Sequence, residues 1–383
     1  MSDSVATAHI VPLSLYIHIP WCIRKCPYCD FNSHEATVIP EAEYLQALLA
    51  DLRQDAALAQ GRSIQTIFIG GGTPSLFAAD SYAQLLQDIH AIVPIARDAE
   101  ITLEANPGTF EYTKFKGFRA AGINRLSVGV QSFNPQHLQA LGRVHDRDEA
   151  IRAIGAAREV GFEKLNIDLM HGLPQQKQAD ALADLQQAVN LQPTHLSWYQ
   201  LTIEPNTVFY SKPPRLPDDE LLWEIDQAGK QFIAAQSFNQ YEISAYAKPG
   251  FECAHNLNYW LFGDYLAIGA GAHGKITDLR DGTITRYNKT RLPKDYLAAD
   301  KPFTAQQTPI EKADLPFEFF MNAFRLNQPV AKALLVKRTG LQPDAVHEPI
   351  AHAKAQGLLE ETATHWQTTP HGQLFLNELL QLF

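Results

Sequence analysis

Short runs of apolar and β-branched residues alternate with longer amphipathic segments along the first half of the chain. In the longer segments, such as residues 41–60 and 148–161, apolar residues recur at intervals of three and four, which predicts helices. The short runs predict strands and occupy residues 15–20, 66–71, 100–107, 125–132, 164–172 and 195–204. Strands that alternate with helices pair in parallel through crossover connections. The six units therefore predict an α/β fold with a complete or partial (β/α)6 barrel.

The pattern changes after the last of these units. A turn-rich break at residues 211–220 is followed by a predicted helix at residues 219–236 and by two strand-like runs at residues 241–247 and 265–274. From about residue 309, three predicted helices, a hairpin and a final helix indicate a winged-helix-like α+β domain. We therefore predict a barrel core at residues 1–215, a helix and strands that extend the barrel at residues 216–305, and a winged-helix-like domain at residues 306–383.

Unusual polar and glycine residues follow the predicted strands at their carboxyl ends. In β/α barrels this rim carries the functional site, because the carboxyl ends of parallel strands meet on one face. The residues at these ends are Cys22, Gly70 to Gly72, Glu104, Asn106, Gln131, Asp168, His171 and Glu204.

The composition is that of an ordinary globular protein, with 45% hydrophobic and 19% charged residues. The formal net charge of −10 disfavours nucleic acid as a partner, because an acidic chain repels phosphate. Acidic residues also outnumber basic ones in the winged-helix-like part, which we interpret as a cover or a partner-docking module. No apolar stretch is long enough to cross a bilayer, and the first residues lack the basic segment of a signal peptide. We therefore expect a cytoplasmic protein with no transmembrane segment.

Three of the four cysteines, Cys22, Cys26 and Cys29, fall within eight residues in a C-x3-C-x2-C arrangement. Clustered thiols in a chain without an export signal indicate a metal site in a reducing compartment. Soft thiolates from one short loop suit a [4Fe–4S] cluster, and three of them leave the fourth iron open to a chelating small molecule. A structural zinc site, which usually takes four ligands, and unreactive buried cysteines are the alternatives.

Three glycines followed by Thr73 and Pro74 end the second predicted strand. With no side chains at positions 70–72, the backbone can approach a ligand closely. A tight turn between strand and helix is the alternative, although it needs fewer glycines.

Four further polar residues, Glu104, Gln131, Arg143 and Asp168, lie at or beyond predicted strand ends. Carboxylates are acceptors for the hydroxyl groups of a sugar, and an arginine pairs well with a ligand carboxylate. These residues therefore indicate a site for a small polar ligand. An internal network, for instance an ion pair between Arg143 and Asp168, is the alternative.

The cysteine motif, with Tyr28 before its last cysteine and a first strand before it, resembles the signature of radical S-adenosylmethionine (SAM) enzymes. The motifs YIHIPWCIRKCPYCDF, IFIGGGTPS, EANPG, GVQSF, LGRVH and DLMHGLP resemble, in the same order, those of the oxygen-independent coproporphyrinogen III dehydrogenase family. The resemblance implies a partial (β/α)6 radical SAM barrel with a C-terminal winged-helix-like α+β domain. It also implies a [4Fe–4S] cluster on Cys22, Cys26 and Cys29, with SAM bound to the open iron.

The same resemblance implies which residues surround SAM. Gly71, the first of its glycine contacts, reaches towards the methionyl amine. The implied SAM contacts are Tyr16, Tyr28, Gly71, Gly72, Thr73, Glu104, Gln131, Arg143 and Asp168.

Two features depart from the dehydrogenase pattern. Phe31 occupies the position of a fourth cysteine in those enzymes, and only about 14 residues precede the first predicted strand, where the enzymes have a longer extension. Both departures resemble a sister group, the HemW-type haem chaperones, which bind haem and pass it to other proteins. The segments SWYQLTIEPNT and HNLNYW are also similar to that group.

The HNLNYW segment indicates a way of holding haem. His255 could supply an axial nitrogen to the iron, with Tyr259 and Trp260 offering ring faces. A helix start with core aromatic residues is the alternative, and Cys253 is another possible soft ligand. The resemblance implies haem as cargo, with a haem-accepting protein or a reductant as partner. A coproporphyrinogen III dehydrogenase and a radical SAM enzyme with another substrate remain the alternative functions.

Overall fold

A twelve-stranded sheet forms the centre of the protein in a computed structural model, which describes residues 11–108 and 111–383. Twelve of the seventeen strands among the described residues form this sheet, β2 and β3 form a two-stranded sheet, and β15 to β17 form a three-stranded sheet. The strands along the chain are β1 (Leu13–Ile19), β2 (Trp21–Cys22), β3 (His34–Glu35), β4 (Ile64–Gly71), β5 (Ile95–Ala105), β6 (Arg125–Gln131), β7 (Lys164–His171), β8 (His195–Gln200), β9 (Asn239–Gln240), β10 (Ala245–Ala247), β11 (Asp264–Ile268), β12 (His273–Thr277), β13 (Ile284–Lys289), β14 (Thr304–Pro309), β15 (Val330–Ala331), β16 (Leu359–Glu361) and β17 (His365–Thr368).

Helices connect the strands and cover the sheet. The α-helices are α1 (Glu41–Asp55), α2 (Ala79–Ile92), α3 (Glu111–Ala120), α4 (Pro135–Ala140), α5 (Arg147–Glu159), α6 (Gln178–Asn190), α7 (Val208–Ser211), α8 (Asp219–Ala235), α9 (Ala254–Trp260), α10 (Pro293–Tyr296), α11 (Leu315–Ala323), α12 (Lys332–Thr339), α13 (His347–Ala355), α14 (Pro370–Leu374) and α15 (Leu376–Leu380). Short 3-10 helices span Ala56–Ala59, Pro74–Leu76 and Pro343–Val346. Among the described residues, no helix combines the length and apolar character needed to cross a bilayer.

The large sheet is an open barrel. Its strand order is β14-β13-β12-β11-β1-β4-β5-β6-β7-β8-β10-β9, so that β14 and β9 are its two ends within the described residues. β1 and β4 to β8 are parallel neighbours, and the helices α1 to α6 lie between them along the chain. The prediction of a partial (β/α)6 barrel is therefore confirmed.

Burial on both faces of the sheet explains why its strands read as continuous apolar runs. Every residue of β6 is buried, since the barrel interior covers one face and helices cover the other. α1 contributes Tyr44, Leu48 and Leu52 to this core. A capping box between Asp146 and Glu149 begins α5, because each side chain accepts a hydrogen bond from the other residue's backbone N–H.

The sheet continues beyond the six units with β11, which pairs in parallel with β1, and with the antiparallel strands β12 to β14. The strand-like run at residues 265–274 anticipates parts of β11 and β12, whereas β13 and β14 were not predicted. β14 is mostly exposed and polar. β13 ends at Lys289, whose ammonium is buried and pairs with Asp51 and Asp55 at 2.6 and 2.7 Å. Neither strand shows the alternation of apolar and polar residues by which a strand is predicted from sequence.

The C-terminal part contains the expected helices and hairpin. The helices α11, α12 and α13 pack with a three-stranded sheet in the order β15-β17-β16, in which β15 lies between α11 and α12 along the chain and β16 and β17 form the hairpin. Trp366 and Phe320 lie in the apolar core of this part. The winged-helix-like α+β prediction is therefore confirmed, although the predicted final helix is divided into α14 and α15. The domain limits stay predictions. The limit at residue 306 falls within β14, and the first ten residues of the predicted barrel core lie outside the described residues.

Candidate functional site

The three clustered cysteines lie on one loop at the carboxyl end of β1. Cys22 ends β2 and is buried, whereas Cys26 and Cys29 are half-buried in the loop that follows. We call residues 22–33 the cluster loop. The Cys29 N–H donates to the Cys26 carbonyl at 3.1 Å, and the Lys25 ammonium donates to two carbonyl oxygens further along the loop, at 3.1 Å each. These hydrogen bonds fold the loop back on itself.

The cysteines line one side of a cavity of about 320 Å³, which we call the first cavity. It brings together most of the side chains that the sequence singles out. The predicted site residues in its wall are Cys22, Cys26, Tyr28, Cys29, Gly71, Gly72, Thr73, Glu104, Gln131, Arg143 and Asp168.

The residues present fit a [4Fe–4S] cluster. Arg143 Nη1 donates to Cys26 Sγ at 3.5 Å, which places a cation beside the thiols of an anionic cluster. Among the described residues, no set of three His, Cys, Asp or Glu side chains converges on a single metal ion. A cubane needs a wider arrangement, because each thiolate binds a different iron. Cys253 lies elsewhere, fully buried in an apolar cluster, and burial raises the pKa of its thiol to about 11.

The glycines at the end of β4 are packed against the start of the cluster loop. A Cβ atom on Gly72 would lie 2.5 Å from the Trp21 carbonyl oxygen, and one on Gly71 would lie 2.6 Å from the His18 ring. The Gly72 and Thr73 N–H groups donate to the carbonyls of Ile19 and Trp21, both at 2.7 Å. The glycines are therefore needed because side chains at these positions would collide with the neighbouring segment. Gly71 and Gly72 also line the first cavity.

Glu104 at the end of β5 presents a half-buried carboxyl group on the wall of the first cavity. Its Oε2 accepts a hydrogen bond from the Gly71 N–H at 3.0 Å. Burial, together with a smaller effect of the negative charge of Asp168, raises the pKa of Glu104 to about 8. The wall therefore presents a carboxyl group that is partly protonated near neutral pH.

A chain of hydrogen bonds joins the glycine motif to the cluster loop. Asn106 Nδ2 donates to Thr73 Oγ1 at 3.0 Å, and Asn106 Oδ1 accepts from Arg143 Nη2 at 2.7 Å. Arg143 also donates to the Gly129 carbonyl at 2.6 Å and contacts Cys26. Its Nε is buried and has no hydrogen-bond partner among the described residues. Asn106, at the end of a predicted strand, is not among the predicted SAM contacts, although it belongs to the EANPG motif.

Asp168 is held by its neighbours and not by Arg143. Its two carboxyl oxygens accept from Ser127 Oγ at 3.0 Å and from Asn166 Nδ2 at 2.7 Å. The alternative of an ion pair between Arg143 and Asp168 is not found within the described part of the chain. Burial raises the pKa of Asp168, and the residue lines the first cavity.

Three tyrosines near the site differ in their relation to the first cavity. Tyr199 near the end of β8 lines the first cavity and donates to Gln131 Oε1 at 2.8 Å, although its run of alternating aromatic residues gave no functional signal. Tyr28 packs near Phe209, with ring centroids 6.3 Å apart. Tyr16 does not line the first cavity, and its hydroxyl group lies 3.0 Å from His18 Nδ1.

A larger cavity of about 720 Å³, which we call the second cavity, lies beside the first. Phe31, Gly71 and Glu104 belong to both walls. The second cavity is rich in aromatic side chains, and the Phe31 side chain is 61% exposed. Its remaining lining residues are Tyr16, His18, Asp30, Asn32, Tyr259, Trp260, Tyr265, Gly271, His273, Asn288, Lys289, Arg291 and Asn322.

His255 lies beneath this cavity and not in its wall. Both ring nitrogens are used inside the protein: Nδ1 lies 2.7 Å from Thr66 Oγ1, and Nε2 lies 2.8 Å from the Tyr259 hydroxyl oxygen. Burial lowers the pKa of His255 to about 3, so the ring is neutral. A haem iron would need one of these nitrogens, so the geometry disfavours His255 as axial ligand and favours the alternative of a helix start packed in the core.

Comparison with known proteins identifies the family. The radical SAM superfamily model matches residues 16–187, and the HemN C-terminal domain model matches residues 310–375. The Heme chaperone HemW of Escherichia coli (strain K12) is 54% identical, over 97% of this chain and 98% of its own length. The Heme chaperone HemW of Bacillus subtilis (strain 168) is 34% identical over 97% and 98% of the two chains. The chain belongs to the HemW family of radical SAM proteins.

The HemW family assignment agrees with the fold. The structure of coproporphyrinogen III oxidase (HemN) from Escherichia coli, a radical SAM enzyme, superposes with a TM-score of 0.83 at 24% identity and covers 98% of this chain and 90% of that chain. At this identity the likeness shows the fold alone. Membership of the radical SAM superfamily brings a [4Fe–4S] cluster and SAM as cofactors, as the cysteine motif predicts.

Proposed function

We propose that the protein is a haem chaperone, which binds haem and delivers it to acceptor proteins in the cytoplasm. The observation that carries the proposal is the similarity, over nearly the full length of both chains, to relatives named Heme chaperone HemW. The structure adds a cavity of about 720 Å³, within the usual size of small-molecule sites, next to the cysteine loop. An acceptor protein and a reductant are the partners that this function requires.

The site residues have two assignments in this proposal. Cys22, Cys26 and Cys29 hold the [4Fe–4S] cluster, which supplies an open iron and a reducible centre when bound. The polar wall of the first cavity, from Thr73 to Asp168, holds SAM. Shared lining of one cavity with the three cysteines supports this assignment. Tyr16 lines the second cavity together with Gly71 and Glu104, which also line the first cavity, so its contact with SAM has less support than the other assignments.

Phe31 bears on the choice between a chaperone and a dehydrogenase. Its ring is exposed in the walls of both cavities, beside the cysteines. An apolar ring offers a surface for a macrocycle but has neither the acidity nor the redox chemistry of a thiol. We therefore expect haem binding and no decarboxylation of coproporphyrinogen III.

The test uses the full chain, reconstituted anaerobically with iron and sulfide and supplied with SAM and a reductant. Haem is titrated in one arm and passed to an apo-cytochrome, and coproporphyrinogen III is incubated in the other. We expect stoichiometric haem binding, transfer that depends on the loaded protein, and no protoporphyrinogen IX. Steady formation of protoporphyrinogen IX without haem binding would replace the chaperone proposal by the dehydrogenase. The Phe31→Cys variant is expected to remain inactive towards coproporphyrinogen III.

A further inference from the structure

The second cavity combines several aromatic side chains with a free imidazole and a free guanidinium. Tyr259, Trp260 and Tyr265 contribute rings to one part of the wall, and Phe31 contributes a ring from the cluster loop. Tyr259 and Tyr265 are held at a defined angle, with centroids 4.5 Å apart and planes at 78°. A wall of aromatic faces and edges suits a large apolar ligand, because such a ligand buries much apolar area against the rings.

Two histidines line the second cavity, and they differ in whether their ring nitrogens are hydrogen-bonded. His18 uses both of them, with Nδ1 3.0 Å from the Tyr16 hydroxyl oxygen and Nε2 2.8 Å from the Asn32 carbonyl oxygen. His273 is exposed, and its ring nitrogens take part in no hydrogen bond among the described residues. The protein around one side of its ring and the charge of Arg286 lower the pKa of His273, which favours the neutral imidazole with a lone pair.

The strand that carries His273 is firmly placed. His273 begins β12 and is paired with Asn288 on β13, which lines the same cavity. The preceding turn is tight, because a Cβ atom on Gly271 would lie 2.4 Å from Asn32 Nδ2. The Asn32 amide in turn donates to the carbonyls of Ala270 and Arg291 at 2.9 and 2.8 Å. The imidazole therefore projects from a rigid strand end that is tied to the cluster loop.

The cations at this cavity also differ. The Lys289 ammonium is fully buried and is committed to Asp51 and Asp55. The Arg291 guanidinium is exposed at the edge of the cavity, and its nitrogens make no hydrogen bond or ion pair within the described residues. A guanidinium in such a position can pair in bidentate fashion with a ligand carboxylate.

We propose that the second cavity is the haem site, with His273 as the ligand of the iron and Arg291 as the partner of a propionate. This inference rests on the proposed chaperone function and names the residues that carry it. The aromatic wall takes the macrocycle, the imidazole takes the metal, and the guanidinium takes the carboxylate, so that each part of haem meets a matching group. Neutral imidazole is a common axial ligand of haem iron.

His255 acts as a positioning residue in this arrangement. A buried chain of hydrogen bonds runs from Ser14 Oγ to Thr66 Oγ1, then to His255, and ends at the Tyr259 hydroxyl group in the cavity wall. His255 thereby fixes the orientation of an aromatic ring that faces the macrocycle. Loss of His255 is expected to weaken haem binding without changing the ligand of the iron.

The test titrates ferric haem into the reconstituted full chain and records the Soret band and the electron paramagnetic resonance spectrum. We expect the wild-type protein to show imidazole ligation and the His273→Ala variant to lose it, with at least a tenfold lower affinity. Added imidazole should restore the wild-type spectrum of His273→Gly.

Two further variants serve as comparisons. His352→Ala removes an exposed histidine of the C-terminal domain and should change neither the affinity for haem nor the spectrum. His255→Ala should lower the affinity but keep the spectrum of imidazole ligation.

The Arg291 assignment is tested by comparing the binding of haem with that of haem dimethyl ester. Arg291→Ala should weaken haem about fivefold or more but leave the affinity for haem dimethyl ester unchanged, since the ester lacks the carboxylates. Arg280→Ala, at the turn between β12 and β13, should affect neither ligand, because Arg280 is exposed and paired with Asp278. Equal losses for haem and its ester would overturn the propionate assignment.

The outcomes separate this inference from the function on which it rests. Wild-type ligation and affinity in His273→Ala would overturn the iron-ligand assignment while the chaperone proposal stands. Loss of imidazole ligation in His255→Ala, with His273→Ala unchanged, would transfer the role to His255. A wild-type protein that fails to bind haem at all would overturn both proposals.

Discussion

Arg143 Nη1 lies 3.5 Å from Cys26 Sγ, while Nη2 of the same guanidinium donates to Asn106 Oδ1 at 2.7 Å. One side chain from the segment after α4 thus contacts the cluster loop and the end of β5. The position of the cluster loop depends in part on a residue more than one hundred positions later in the chain.

Replacement of Arg143 by Met should destabilise the protein by about 3 kcal/mol, because buried acceptors on Asn106 and Gly129 lose a charged donor. Thermal unfolding of the reduced, cluster-free chain measures this effect. SAM affinity of the reconstituted variant should also fall, by about tenfold. Arg147→Met, which removes an exposed contact with Gln187, is the matched control and should change stability by less than about 0.5 kcal/mol. A similar loss in both variants would contradict the assigned role.

The cluster assignment predicts about four irons and four sulfides in each reconstituted chain. Substitution of Cys22, Cys26 or Cys29 by Ser should abolish the visible absorbance of the cluster. Cys253→Ser should retain it, because that thiol lies in a separate apolar cluster. Loss of absorbance in Cys253→Ser, with the fold intact by circular dichroism, would indicate a fourth cysteine ligand and leave no iron open to SAM.

Gly72→Ala should damage the cluster loop as well as the SAM site. The added Cβ atom would lie 2.5 Å from the Trp21 carbonyl oxygen, so the backbone that leads into Cys22 must shift. We expect a stability loss of at least about 2 kcal/mol, as for overpacked cores, together with incomplete cluster assembly. Gly155→Ala is the control, since a Cβ atom there meets open space on α5 and should stabilise the helix by about 0.5–1 kcal/mol. Normal iron content in Gly72→Ala would show that the two backbones can separate without harm.

Glu104 should make stability depend on pH. Its pKa is about 8 in the folded protein, mainly through burial, against about 4.3 in an unfolded chain. Folding therefore takes up a proton between these values, and stability falls as pH rises through this window, by at most about 1.4 kcal/mol per pH unit. Glu104→Gln keeps the acceptor for the Gly71 N–H and removes this part of the slope. Denaturant unfolding of the cluster-free proteins from pH 5 to 8 measures the difference between them.

The matched control for this pH series is Glu163→Gln, which changes an exposed carboxylate far along the chain and should leave the slope unchanged. Parallel curves for wild type and Glu104→Gln would mean that Glu104 is ionised throughout the window.

The fold was predictable where hydrophobicity sets the structure. The six parallel units follow from apolar runs, because their strands are buried on both faces. β13 was not predictable, because Lys289 is a buried charge whose partners, Asp51 and Asp55, lie more than two hundred residues earlier. The position of the motifs on one face was also predictable, because the carboxyl ends of parallel barrel strands lie together. The surroundings of His255 could not, because its two hydrogen-bond partners, Thr66 and Tyr259, come together only in the folded chain.

Phe31, Gly71 and Glu104 form a common wall between the two cavities. A ligand in one cavity that moves these residues or changes their charge alters the shape and the electrostatic potential of the other cavity. Thermodynamic linkage then requires reciprocity: whatever factor SAM imposes on the affinity for the planar cargo, the cargo imposes the same factor on the affinity for SAM. Cofactor occupancy would thereby set how firmly the cargo is retained, and release could be timed by the cofactor without any change in the cargo's own ligands.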